Sequence, residues 1–231
     1  MLGGMGPDAT VDFMSKVIAL TPADKDQDHI HMLIDHNPGV PNRQTAILDG
    51  GEDPGPDLAA MAARLEVAGA DFLVIPCNTA YVFRDAVDSA AAVPLISIID
   101  VTVGEAVTKG ASAVGVLATD GCVAAGVYQD ALKRAGVKAV VPSEEELEQF
   151  MTLCNRIKAG YQGERVAREM TKLAEALVER GAEVVIAGCT EIPLVLKQSA
   201  LAVPLISSTD VLAETTVALA RGEMALPRKK S

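Results

Sequence analysis

Two cysteines, Cys77 and Cys189, close matching segments of this chain. The first segment reads Gly69-Ala70-Asp71-Phe72-Leu73-Val74-Ile75-Pro76-Cys77-Asn78-Thr79. The second reads Gly181-Ala182-Glu183-Val184-Val185-Ile186-Ala187-Gly188-Cys189-Thr190-Glu191. The offset is constant from glycine to cysteine (181 − 69 = 112 and 189 − 77 = 112). Further on, Val93-Pro94-Leu95-Ile96-Ser97 recurs as Val203-Pro204-Leu205-Ile206-Ser207, and Asp100 recurs as Asp210. A duplicated unit with one polarizable acid–base group in each copy sets two such groups face to face across a pseudo-twofold axis. That arrangement suits removing a proton from one side of a carbon and returning it on the other. A single cysteine of this kind reads as a small buried residue at a strand end. Two at equivalent positions point to chemistry.

The residues after each cysteine have a physical use. Asn78-Thr79 and Thr190-Glu191 supply side-chain donors and acceptors together with the free amides of a helix start. Helix starts bind anions such as an amino acid's carboxylate, and they lower a thiol's pKa. Thr119 joins Asn78, Thr79 and Thr190 as a candidate donor to that carboxylate. The turn Gly3-Gly4-Met5-Gly6-Pro7 lets backbone approach a ligand closely, but it lacks the spacing of a dinucleotide or phosphate loop. Arg43 follows Asn37-Pro38 and Pro41, and its planar fork suits a carboxylate; a solvated loop arginine is the alternative. Cys154, within a helical stretch, reads as structural. His29, His31 and His36 crowd one segment without a matching ligand cluster and also read as structural.

These groups need elements to hold them. Short β-branched runs at His29–Asp35, Asp71–Pro76, Leu95–Ile98, Ala113–Ala118, Ala139–Pro142, Glu183–Ala187 and Leu205–Ser207 alternate with amphipathic stretches. The helical stretches are Ala9–Leu20, Asp57–Ala68, Ala80–Ala90, Val101–Lys109, Cys122–Ala135, Glu144–Lys158, Gly163–Arg180, Ile192–Gln198 and Thr209–Ala220. Uniformly apolar strands separated by helices predict parallel sheets covered on both faces. The expectation is α/β: two pseudo-symmetric, doubly wound, Rossmann-like domains with the active site between them. Residues 1–98 plus 208–231 form the N-terminal domain carrying Cys77, and residues 99–207 the second domain carrying Cys189. In such sheets ligands bind beyond the carboxyl ends of the strands, where both cysteines fall.

Composition narrows the class. The chain has 231 residues, 49% of them hydrophobic, enough for a full core. A formal net charge of −11 argues against a nucleic-acid or anionic-membrane surface. No apolar run is long enough for a membrane helix and no signal segment opens the chain, so a cytoplasmic location is expected. Four cysteines without a CxxC pair favour free thiols over disulfides or a zinc site.

Four motifs together are specific. Gly3-Gly4-Met5-Gly6-Pro7, Asn37-Pro38 with Pro41 and Arg43, Pro76-Cys77-Asn78-Thr79-Ala80, and Gly188-Cys189-Thr190-Glu191-Ile192-Pro193 resemble the aspartate/glutamate racemase family in its cofactor-independent aspartate racemase branch. The resemblance spans almost the whole chain in order and spacing. It implies racemization of a small amino acid without pyridoxal phosphate, metal or other cofactor, by two cysteines on opposite sides of the α-carbon. It also implies a homodimer and places Arg43 on the substrate's side-chain carboxylate, so aspartate leads as substrate and glutamate follows. Met5, Asn78, Thr79, Thr119, Cys122, Thr190, Glu191 and Lys158 complete the implied binding set, Lys158 as a second cation for a distal carboxylate or as an ordinary helix-end residue. Tyr81 stands where many relatives carry histidine, Asn42 where aspartate is common, and Cys122 where threonine is frequent. Only Met1 and Leu2 precede the glycine turn, where the family has a full first strand; this implies a shortened core edge or a start further upstream. Two other readings stay open: a related decarboxylase or cis–trans isomerase of small dicarboxylates, and a non-catalytic amino-acid binding protein.

Overall fold

The computed structural model describes residues 1–227. Two compact units divide the chain, one comprising Met1–Val101 and the chain from Thr209 onward, the other Thr102–Ser208. The first unit runs β1 (Leu2–Gly3), α1 (Pro7–Leu20), β2 (Asp35–His36), α2 (Arg43–Leu48), α3 (Gly55–Val67), β3 (Leu73–Val74), α4 (Arg84–Ala90) and β4 (Leu95–Ile96). After α5 (Ile98–Thr108), which runs through the boundary, come β5 (Ala113–Ala118), α6 (Asp120–Ala124), α7 (Val127–Arg134), β6 (Lys138–Val140), α8 (Glu144–Lys158), α9 (Glu164–Glu179), β7 (Val184–Gly188), α10 (Ile192–Val195) and β8 (Leu205–Ser207). The last helix, α11 (Ser208–Ala220), leads back into the first unit. All strand pairs are parallel, so the α/β architecture with parallel sheets is as expected.

In the second unit the four strands form one sheet in the order β6-β5-β7-β8. Ranked by chain order this is second, first, third, fourth: a doubly wound sheet whose winding reverses between β5 and β7. Both of these central strands are apolar along nearly their whole length, as strands covered on two faces must be. The covering helices follow from sequence spacing. On α9 the buried residues Val166, Met170, Leu173, Ala174 and Leu177 recur at helical period and face the sheet. α8 is started by a capping box in which the Ser143 hydroxyl accepts from the Glu146 amide and the Glu146 side chain accepts from the Ser143 amide. Arg180 then clamps Glu146 with two bonds of 2.8 Å, fixing the helix that presents Cys154 and Lys158.

The first unit repeats the pattern with less sheet. β1 pairs with β2 and β3 with β4, as two separate ladders. The internal duplication is kept in register: Leu73 faces Leu95 and Val74 faces Ile96, while Val185 faces Leu205 and Ile186 faces Ile206. The first strand of each pair is offset by 112 and the second by 110 (73 + 112 = 185 and 95 + 110 = 205), so the connection between the strands is two residues shorter in the second copy while the pairing is the same. The repeated aspartates differ in partner: Asp100 lies 3.8 Å from Arg84, and Asp210 lies 2.7 Å from Lys16 of α1.

Several expected elements change. The strand expected over His29–Asp35 reduces to Asp35–His36, because its partner β1 is only two residues long. His29, His31 and His36 are exposed rather than packed. The helix expected over Cys122–Ala135 breaks into α6 and α7 at Gly126, whose φ of 68° is left-handed. After Cys77 the chain makes a 3-10 turn over Thr79–Phe83 before α4 begins. A further helix, α2, arises where Asn42 accepts from the Gln44 and Thr45 amides at 2.9 and 3.2 Å, an N-cap. Among the described residues no helix is long and apolar enough to cross a membrane.

Candidate active site

In the first unit three chain segments converge on the carboxyl-end side of the strands. Gly4 turns the chain with φ of 97°, and a side chain there would collide with the Asn37 carbonyl and come within 2.7 Å of the Pro38 nitrogen. Only glycine lets the Gly3–Gly6 turn, with buried Met5, press against the loop that leads to Arg43. The Asn37 side chain closes that loop by accepting from the Gly39 amide at 3.0 Å. Helix α2, which starts at Arg43, packs on the turn over Thr79–Phe83 that follows Cys77. Cys77, Asn78 and Thr79 are all buried. Below them the Tyr81 hydroxyl donates to the Ile96 carbonyl at 2.6 Å. Burial raises the Tyr81 pKa, so this phenol stays neutral and serves as a strut between the cysteine turn and the end of β4.

Arg43 stands out for an unmet need. One of its terminal nitrogens donates to the Val40 and Pro41 carbonyls at 3.1 and 3.0 Å, which fixes the guanidinium. Its Nε is buried and, among the described residues, has no hydrogen-bond partner. Buried polar groups without partners are rare in folded proteins. A carboxylate accepting from Nε and the second terminal nitrogen satisfies it.

In the second unit the sheet itself assembles the group. Ala118 pairs with Gly188 at the last rung between β5 and β7, so Thr119 and Cys189 leave neighbouring strands side by side. This is the reversal point of the winding, where ligands of such sheets bind. Thr119 caps α6, its hydroxyl accepting from the Cys122 amide at 3.4 Å, and Cys122 is fully buried. Gly188 leaves little room before Cys189: a Cβ there would lie 3.0 Å from both the Leu117 carbonyl and the Tyr128 ring.

The buried thiol of Cys189 donates to Oε2 of Glu191 at 2.9 Å, and the Thr190 hydroxyl donates to the same oxygen at 3.0 Å. Lys158 of α8 lies 3.9 Å from the other carboxylate oxygen. Lys158 is therefore placed against Glu191 rather than presented alone as a substrate cation. Cys154 of α8, expected to be structural, shares a hydrogen bond with Cys189. Sequence reading passed over it because a cysteine on the apolar face of a helix carries no distinguishing signal; the helical phase that puts it next to β7 appears only on folding.

The expectation of a thiolate-favouring helix start is corrected at Cys189. Its pKa is held well above the ordinary cysteine range, first by the bond with Cys154, then by burial and the Glu191 charge, with Lys158 opposing. The helix after it, α10, spans only four residues and has little dipole to offer. Cys189 is thus a resting thiol, and a raised pKa means less thiolate at any given pH. Iodoacetamide should label Cys189 slowly at pH 7, with the rate still climbing beyond the pH at which ordinary thiols level off; peptide mass spectrometry across a pH series reads this. A plateau near the ordinary thiol pKa contradicts the geometry.

Among the described residues no group of three or more His, Cys, Asp and Glu side chains is placed to hold a metal ion. The structure brings Met5, Arg43, Cys77, Asn78 and Thr79 to one rim of the first unit, and Thr119, Cys122, Lys158, Cys189, Thr190 and Glu191 to one rim of the second.

Known proteins are similar to this chain in sequence and in fold. The broad specificity amino-acid racemase RacX of Bacillus subtilis is 29% identical over 237 residues, covering 94% of this chain and 95% of its own. The aspartate racemase of Picrophilus torridus superposes with a TM-score of 0.84 at 25% identity, covering 96% of this chain and 92% of that one. An aspartate racemase homologue from Pyrococcus horikoshii gives a TM-score of 0.76 at 28% identity, covering 95% and 97%. The sequence profile of the Asp/Glu/hydantoin racemases matches residues 2–216. With nearly the whole chain matched in sequence and fold, the protein is a racemase of the Asp/Glu/hydantoin racemase family.

Proposed function

We propose that the protein interconverts L- and D-aspartate, with glutamate as a second substrate, by cofactor-independent proton transfer at the α-carbon. The reading is carried by one observation: Cys77 and Cys189 stand at equivalent strand ends of a duplicated fold whose ladders share one register. Cys77 and Cys189 serve opposite faces of the α-carbon. In one direction the Cys77 thiolate takes the α-proton, breaking the Cα–H bond and leaving a carbanion. The Cys189 thiol then delivers its proton to the other face. The reverse reaction exchanges the two roles.

Glu191 gives Cys189 a way to change role. Its carboxylate already accepts from the thiol and can take that proton when Cys189 must act as base. Asn78, Thr79, Thr119 and Thr190 are the proposed donors to the substrate's α-carboxylate, whose negative charge grows as the carbanion forms. Arg43 holds the distal carboxylate. Glu191→Gln keeps the shape and removes the proton acceptor; kcat/KM should fall about 10²- to 10⁴-fold. The fall must be equal for the two enantiomers, because the equilibrium constant between them is unity. Unchanged kcat/KM would sink the role given to Glu191.

A broader side-chain tolerance is the second reading, favoured by the similarity to a broad specificity racemase. Incubation of each L-amino acid with the protein, followed by chiral chromatography for the D-form, separates the two. Aspartate first supports the dicarboxylate reading, whereas a flat profile over neutral amino acids overturns it. The proposed setting is a cytoplasmic homodimer, which sedimentation equilibrium and fractionation test directly.

A further inference from the structure

The second unit holds two thiols in contact, and the proposed reaction uses only one of them. Cys154 and Cys189 are both free and buried, and they share a hydrogen bond across 35 positions of chain (189 − 154 = 35). Cys154 belongs to the face of α8 that buries Phe150, Leu153 and Ile157, and it lies in one apolar cluster with Cys189, Ala187 and Leu177. The capping box and the Arg180 clamp fix α8, while the central strand β7 fixes the approach to Cys189. The two sulfurs therefore meet from two separately held elements. An apolar side chain of similar size would fill the place of Cys154 as well. A second thiol adds one capacity that such a side chain lacks: the pair can lose two hydrogens and bond to each other.

The two thiols differ in access. Cys154 is 0% exposed and Cys189 6%, whereas the side chain of nearby Lys158 is 44% exposed. A small oxidant arriving past Lys158 meets Cys189 first, and Cys154 stands behind it. As a resting thiol Cys189 reacts slowly unless a base takes its proton. Oε2 of Glu191 already accepts from that thiol at 2.9 Å.

We propose that Cys154 and Cys189 form a modification site for peroxide, in which a reversible disulfide withdraws the Cys189 sulfur from racemization. The Cys189 sulfur attacks hydrogen peroxide while its proton passes to Glu191. An S–O bond forms, the O–O bond breaks, and the departing hydroxide takes that proton as water. The Cys154 sulfur then attacks the sulfenic sulfur of Cys189. The S–S bond forms, the S–O bond breaks, and the second hydroxide leaves as water with the Cys154 proton. Two thiols are oxidised and one peroxide is reduced to two waters. A dithiol reductant restores both thiols by exchange. The loss of activity rests on the role given to Cys189 under the proposed function, whereas the bridge itself does not.

Peroxide treatment of the reduced full chain, followed by non-reducing peptide mass spectrometry, tests it. Trypsin leaves each cysteine on its own peptide: Leu65–Arg84, Gly110–Lys133, Ala139–Arg156 and Gly181–Lys197. The expected product joins Ala139–Arg156 to Gly181–Lys197 with the loss of two hydrogens. Racemization should fall in proportion to the joined fraction and return with dithiothreitol. In Cys154→Ala the joined peptides should vanish. Cys189, lacking its resolving thiol, should then gain two oxygens as a sulfinic acid that dithiothreitol does not reverse. The decisive reading comes from the parent chain, so it does not depend on how the variant folds. A bridge from Cys189 to Cys77 or Cys122, sulfinic Cys189 beside reduced Cys154 in the parent, or both cysteines recovered as thiols overturns the proposal. Joined peptides with undiminished racemization uphold the bridge and overturn instead the catalytic role of Cys189.

Discussion

Cys77→Ala and Cys189→Ala are each expected to lower kcat/KM for aspartate by about 10²- to 10⁴-fold or more, equally for both enantiomers. Each variant keeps one of the two proposed bases, so a finer result is expected in D2O. The remaining cysteine should still exchange the α-hydrogen of the one enantiomer whose hydrogen faces it, and the two variants should show opposite preferences. Both cysteines are buried, so far-UV circular dichroism and Tm must first show that each variant is folded. Racemization by either folded variant at near the parent rate removes the two-base mechanism. Exchange of both enantiomers by one variant would place both faces under a single base.

Arg43→Leu carries the second large effect. Among the described residues of the first unit, the orphaned Nε of Arg43 is the one buried side-chain N or O atom without a partner, and a dicarboxylic ligand meets that need. Removing one partner of a buried charge pair costs about 2–5 kcal/mol, which is on the order of thirty-fold to several thousand-fold in kcat/KM for aspartate. Alanine turnover, which needs no distal cation, should change far less. Arg43→Lys should rescue little, because a lysine cannot reproduce the two-donor fork or the bonds to the Val40 and Pro41 carbonyls. Equal losses for aspartate and alanine would reduce Arg43 to a brace for its own loop.

The parts of the fold that came through from sequence are those with strong local patterns. Ala113–Ala118 and Leu205–Ser207 form strands over those residues, and Glu144–Lys158 forms a helix over its whole length, set by a capping box visible as Ser143…Glu146. His29–Asp35 was misread because alternation along one strand says nothing about whether a partner strand is long enough to ladder it. Helix α2 was missed because its only marker is the single N-cap Asn42 within a proline-rich loop. At the site, the cysteines were legible from the repeat, whereas their protonation environment was not. The Glu191 carboxylate is close to Cys189 in sequence, but Cys154 and Lys158 reach it only through the packing of α8; Cys154, with burial and the Glu191 charge, reverses the expected direction of the Cys189 pKa against the opposing pull of Lys158.

The return of α11 to the first unit sets an order of assembly. Lys16 of α1 bonds to Thr209 at 3.0 Å and to Asp210 at 2.7 Å, partners that lie 193 positions or more along the chain. A ribosome extrudes all of Thr102–Ser208 before it supplies them. The unit bearing Cys189 is an uninterrupted stretch that can close on itself during synthesis, while the unit bearing Cys77 waits for the last helix. Contacts of such long sequence separation are slow to form, so a nascent chain halted before Thr209 would hold one finished thiol site and one unfinished.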